Sequence, residues 1–424
     1  MPPRTPYLLL LLLAACLLGV GCRDARATDH GKEATKLRRT IERATGHDLC
    51  GLLLPDESDL DRIPQDPRNR LSAEKVALGR ALFHEAGLTN LSGDDLAAGV
   101  SCASCHDAAA GFQSGSVQGV ARHADRLDAQ GIRTPSVLGV AYQDVLHWNG
   151  QLGAGGANAG TDAQWTSGTP KAVNFYGYAG PEAQAIAGLD IHGFEVTPAR
   201  LDSLGYSVAF RTVFGTLPQN PDDARRDAGL AIAAFERTLL PTRAPFQRWL
   251  SGERDAMLKE QLRGATVFFG KGGCATCHAG PTLSDGSFHT LGLPDLHEAP
   301  ETTYGASADM GVNLGRASFT HHSDDLYAFK TPQLYNLADN PYYGHGSSHR
   351  SIEAIVRHHL EGQSRNQRVR SEQLDPALAN ARLSEREIAD LVTFLRDGLR
   401  DPDLVRYVPA SGERRKPDPL ALGR

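Results

Sequence analysis

Cys102-Ala103-Ser104-Cys105-His106 and Cys274-Ala275-Thr276-Cys277-His278 decide how this chain is read. Each is Cys-x-x-Cys-His, in which two thiols add to the vinyl groups of a porphyrin and the adjacent histidine is placed to ligate iron. A zinc site would bring the two pairs together on one ion, yet they lie far apart in the chain. A thioredoxin-like pair needs no histidine after the second cysteine. The two motifs therefore predict two covalent c-type haems, attached through Cys102, Cys105, Cys274 and Cys277, with His106 and His278 as proximal iron ligands.

Working outward, the N-terminus fits attachment outside the cytoplasm. Arg4 precedes an apolar run from Tyr7 to Val20, too short to span a bilayer and suited to a signal peptide. Leu13-Ala14-Ala15-Cys16 reads as a lipobox, Gly19-Val20-Gly21-Cys22 as a poorer one, and Ala25-Arg26-Ala27 as an ordinary cleavage site. The lipobox is favoured, so residues 1–27 predict a signal and lipid anchor on a periplasmic protein, with a freely soluble periplasmic protein as the alternative. The chain has 7 cysteines. Four are assigned to haem and two to the leader, so Cys50 is alone and no disulfide framework exists. A net charge of -6 without a long basic block argues against nucleic acid.

The mature chain exceeds the usual size of one core, which predicts two domains. The helix Leu71–Phe83, with Ser72 as cap and Val76, Gly79, Leu82 and Phe83 on one face, leads to the first motif. A second, Leu258–Phe269, leads to the other. Further helices read at Asp223–Leu240, Ile352–Leu360 and Ser384–Leu399, the last capped by Ser384. Convincing alternating strands are absent. Gly150–Gly180 reads as a long loop, Pro241 and Pro245 as a seam. The expected architecture is mainly α: two cytochrome-c-like domains, 28–240 and 241–412, each wrapped round one haem, with a tail from 413 to 424.

Several motifs occur together in one order: Lys75-Val76-Ala77-Leu78-Gly79-Arg80-Ala81-Leu82-Phe83, Trp148-Asn149-Gly150, Phe269-Gly270-Lys271-Gly272-Gly273-Cys274, Phe288-His289-Thr290-Leu291-Gly292 and Phe329-Lys330-Thr331-Pro332-Gln333-Leu334-Tyr335-Asn336. With the two haem motifs, they resemble the bacterial dihaem cytochrome c peroxidases and the MauG group of dihaem oxidases from about Ile63 to Leu399. The resemblance implies a peroxidatic first haem and an electron-relaying second haem. It implies hydrogen peroxide as substrate, a c-type cytochrome or cupredoxin as electron donor, and a homodimer.

The family places a glutamine and then a glutamate near the peroxidatic iron. The matching segments point to Gln184 and Glu195 as catalytic candidates, with Glu182 and Asp190 as the neighbouring acids. Breaking an O–O bond needs such a proton relay, a contribution of about 10²–10⁴-fold. Trp148 would stand between the haems and carry electrons. Where some members block the first iron with a distal histidine, this chain has Val120, and His123 three residues on reads as a surface residue.

At the second haem, peroxidases of the family use a methionine as sixth ligand and MauG-like enzymes a tyrosine. Counting along the segment that begins Pro341-Tyr342-Tyr343-Gly344-His345-Gly346 lands on His359, with His358 one step away. Met257 and Met310 fall elsewhere. His278 and His359 would make a bis-histidine haem of lower potential than a His/Met one. The family also holds calcium between the domains. Here Thr134 stands where the family has asparagine, a poorer ligand, and Asp339 could compensate. The expected function is a peroxidase, with a MauG-like oxidase and a non-catalytic electron carrier as the alternatives.

Overall fold

The computed structural model describes residues 29–46, 49–89, 99–122, 127–379 and 381–410. The expected leader, His123 and the tail lie outside them. The helices are α1 (Asp29–Thr45), α2 (Ala73–Phe83), α3 (Cys102–Cys105), α4 (Gly180–Ile191), α5 (Pro198–Ser203), α6 (Ser207–Phe214), α7 (Pro221–Arg237), α8 (Pro245–Leu250), α9 (Lys259–Phe269), α10 (Ala317–Thr320), α11 (Ile352–Glu361) and α12 (Glu385–Thr393). Two short antiparallel ribbons join them: β1 (Val120–Arg122) with β2 (Leu127–Ala129), and β3 (Phe288–His289) with β4 (Phe329–Lys330). The ribbons have too few residues to form layers; they position side chains. Among the described residues no helix is long and apolar enough to cross a membrane.

The same local construction occurs twice. Ser72 Oγ accepts from Lys75 N at 3.2 Å and starts α2. Gly79 then lets α2 cross α7 in backbone contact, since a Cβ there would lie 1.8 Å from Ala231 O. Four residues on, Phe83 sits 6.4 Å from the ring of His106. In α9, Gly264 plays the part of Gly79, its would-be Cβ 2.0 Å from Asp390 O of α12. Phe268, again four residues on, lies 6.5 Å from His278. A glycine at the crossing and a phenylalanine one turn later thus put an aromatic wall beside each motif histidine.

Each crossing organises an apolar core. One holds Leu78, Leu82, Phe83, Phe112, Leu189, Ile232 and Phe235; the other holds Leu262, Phe268, Phe269, Ile352, Leu391 and Phe394. The packing departs from the expected boundaries at both ends. Ala34, Leu37 and Ile41 of α1 belong to the second core. Leu404 and Tyr407 belong to the first, where Arg80 donates to Tyr407 O at 3.0 Å and Val408 O at 2.7 Å. The first and last described segments cross over and tie the lobes together. The helix expected to run to Leu399 gives way after Thr393 to a wider turn over Phe394–Gly398. The Gly150–Gly180 stretch is irregular but pegged. Buried Asn158 donates to Gly150 O and Gly153 O at 2.9 and 2.7 Å, and buried Asn174 donates to Gln151 O at 2.9 Å.

Candidate functional site

A cavity of about 550 Å³ runs through both lobes and is lined by both Cys-x-x-Cys-His motifs. The two motifs fold alike: His106 N donates to Cys102 O at 2.9 Å, and His278 N to Cys274 O at 3.0 Å. This turn puts two thiols and an imidazole on one wall of the cavity. His106 Nδ1 donates to Phe112 O at 3.2 Å, and His278 Nδ1 to Leu283 O at 3.0 Å. Each carbonyl fixes a proton on Nδ1 and leaves Nε2 unprotonated, the form an iron ligand requires. Burial pushes both histidines down to about 4, so both are neutral at pH 7.

In the second lobe His359 lines the cavity, and its Nδ1 donates to Ile355 O at 2.8 Å, which again leaves Nε2. His358 is fully buried and donates instead to Leu291 O at 2.8 Å, off the cavity. Met257 is packed in the second core, and neither it nor Met310 lines the cavity. His289, which carried no assignment from sequence, lies on the cavity with Asp375 Oδ2 2.6 Å from Nδ1 and Asp285 Oδ2 3.5 Å from Nε2. Asp285 first, then Cys277 and Asp375, raise it to about 11.

In the first lobe Gln184 lines the cavity, and its buried Oε1 has no partner. Glu195 does not line it. Extended backbone sends successive side chains to opposite sides. Phe194 and Val196 belong to the first core, Phe194 also lining the cavity, so Glu195 between them is turned away. Its backbone N–H meets Leu88 O at 2.7 Å. The neighbouring acids are no closer to a role. Glu182 is fully buried in an ion pair with Arg237 at 2.6 Å, and Asp190 is exposed beside Arg225 at 3.6 Å. Other polar groups face the cavity instead. His192 and Asp128 are joined Nδ1 to Oδ2 at 2.5 Å. His147, driven to about 4 by burial, accepts at Nδ1 from Gln151 Nε2 at 3.1 Å. Glu236, pushed up to about 8 by burial, is a neutral acid at pH 7.

Trp148 lies at the seam. Its Nε1 donates to Arg133 O at 2.8 Å, and its ring sits 6.3 Å from His345, which stacks on Phe329 at 3.6 Å. Arg133 and Lys330 are both buried and line the cavity, yet neither makes an ion pair among the described residues. Arg133 binds Gln113 Oε1 at 2.8 Å, and Lys330 binds Gln143 Oε1. Burial of an unpaired cation is costly. A macrocycle bearing propionates would supply the missing anions, so the donor set and charge of the cavity fit haem. The calcium position is differently occupied. Thr134 Oγ1 accepts from Gly119 N at 3.0 Å, and Asp339 pairs with Arg400 at 2.6 Å.

The model of a family described as di-haem cytochrome c peroxidase matches residues 73–255. The chain is 32% identical over 345 residues to the methylamine utilization protein MauG of Methylorubrum extorquens, covering 81% of this chain and 83% of that one. It is 29% identical over 360 residues to the cytochrome-c peroxidase IdrP1 of Denitromonas iodatirespirans, covering 80% and 85%. Among solved structures, a MauG-like protein associated with microbial copper homeostasis superposes with a TM-score of 0.59 at 22% identity, over 87% of this chain and 98% of that one. That likeness concerns the fold.

Proposed function

Because the chain belongs to the di-haem cytochrome c peroxidase and MauG family, we propose that it reduces hydrogen peroxide to water with electrons from an external donor. It is an oxidoreductase of a family that carries two c-type haems. The observation that carries the reading is the single cavity reaching from one haem motif to the other past Trp148. When bound, the haems supply the redox chemistry, O–O cleavage at the first and electron relay at the second.

The chain's own residues do the rest. His106 would hold the first iron, and His278 with His359 would hold the second. Gln184, whose unpartnered oxygen faces the first lobe of the cavity, orients peroxide. Trp148 joins the two halves, with His345 and Phe329 extending the aromatic path. In this reading the leader exports the chain to the periplasm and tethers it by lipid, and the donor is a small c-type cytochrome or cupredoxin.

One observation favours a second reading, a MauG-like oxidase that modifies an organic or protein substrate. The identity to MauG is 32%, against 29% to IdrP1, and a low-potential bis-histidine haem shares oxidising equivalents readily. A plain electron carrier has no use for polar groups such as Gln184 beside its iron. Steady-state assay separates the readings. Reduced c-type cytochrome or cupredoxin should be oxidised in proportion to peroxide consumed, two electrons for each peroxide. Peroxide consumed with no donor oxidised, while a second protein becomes modified, would favour the oxidase. No peroxide consumption at all would leave the carrier.

A further inference from the structure

We infer that His192, held by Asp128, is the proton-transferring group at the first haem, in the place that the sequence pattern gives to Glu195. The inference rests on the peroxidase reading above and deepens it.

His192 caps the C-terminus of α4, two turns beyond Gln184 with Gly188 between them. Residues at this spacing share a helix face, and all three line the first lobe of the cavity. Asp128 comes from β2, brought to the end of α4 by the β1–β2 ribbon, in which it pairs with Ala121. The carboxylate is nine-tenths buried and held on both oxygens: Oδ2 lies 2.5 Å from His192 Nδ1, and Oδ1 accepts from Gln130 Nε2 at 2.9 Å. A carboxylate on Nδ1 fixes the tautomer and the ring's orientation, and leaves Nε2 for the cavity.

The rivals are less suited. Glu195 is turned away, and Glu182 is spent on Arg237. His147 accepts at Nδ1, so its Nε2 carries the proton and is a donor rather than a base. Glu236 is on the cavity, but it comes from α7 and does not share the face of α4 that carries Gln184. Among the described residues, His192 with Asp128 is the imidazole–carboxylate pair on this lobe of the cavity; His289 and its two aspartates belong to the other.

The step balances. Nε2 of His192 takes the proton from the inner oxygen of hydrogen peroxide and gives it to the outer oxygen as the O–O bond breaks. The outer oxygen keeps the bonding pair and leaves as water. The remaining oxygen becomes the second water with two electrons from the external donor and two protons from solvent.

The test uses the haem-loaded chain. His192→Leu should keep two covalent haems and an unchanged resting spectrum, while peroxide turnover falls about 10²-fold or more. Association of cyanide with the ferric first haem, followed in the Soret band, should slow by a similar factor, because hydrogen cyanide also surrenders a proton on entry. Asp128→Asn should give an intermediate loss in both. His192→Gln provides the same comparison if the leucine variant loads haem poorly. Conversion of a low-spin first haem to high-spin in His192→Leu would overturn the inference by making His192 an iron ligand. Wild-type cyanide and peroxide rates in His192→Leu, with Glu195→Gln down a hundredfold, would overturn it in favour of the carboxylate. Should wild-type protein fail to turn over peroxide, the peroxidase reading falls, and the cyanide rate still decides the role of His192.

Discussion

Replacing Cys102 and Cys105 together by alanine is expected to leave one haem per chain in place of two and to abolish peroxide reduction. Thioether bonds from these cysteines would hold the first macrocycle permanently, and without them its retention would depend on His106 and apolar contact alone. Denatured protein, stripped of non-covalent haem and assayed for bound haem, reports the loss directly. The second motif should keep its haem, because Cys274 packs on a separate core built from α9 and α12, and His278 lies 6.5 Å from that core's Phe268. Two haems surviving denaturation in the double variant would show that these cysteines are not the attachment points.

His359→Met is expected to raise the potential of one low-spin haem by on the order of 0.1–0.3 V, within the roughly 0.8 V that axial ligands span. The thioether favours ferrous iron more than imidazole does. The other haem should be nearly unmoved, since its ligand His106 belongs to the other lobe. Donor preference should shift with it, toward high-potential cytochromes. Spectroelectrochemical titration of the wild type and the His359→Met variant checks this. An unchanged low-spin spectrum and potential would mean that His359 is not a ligand, despite lying on the cavity with Nδ1 tied to Ile355 O.

Much of the site was legible because its signals are local. Two pentapeptides both reach the wall of one cavity, and Ser72 and Ser384 mark helix starts that the structure keeps. The count to His359 lands on a residue that lines the cavity, because α11 is regular and a one-residue step changes which face a side chain occupies. His358 accordingly turns to Leu291 O. What escaped notice is what depends on distant pairing. Asp128 is 64 residues from His192, and Asp375 is 86 from His289. Nothing in either local sequence announces its partner.

Glu195 is a different case, a candidate that the structure leaves off the cavity. A helix-and-loop reading ignored the alternation of Phe194 and Val196 about it, a period that already pointed the carboxylate away from the core. The crossing of α1 and the Leu404–Tyr407 segment escaped for a third reason. The apolar face of α1 predicts burial, but not which core receives it, and here Leu37 and Ile41 join the second.

The central claim is that both lobes of one cavity serve one two-electron reduction of peroxide. Single-turnover mixing tests it most directly: protein with both haems reduced, no donor present, and one equivalent of hydrogen peroxide, with each haem followed by its own absorption. Both haems should return to the ferric state together, with one peroxide consumed for the two electrons lost and only water formed. Reoxidation of the first haem alone, with His278 and His359 still ligating reduced iron after the peroxide is gone, would contradict the account.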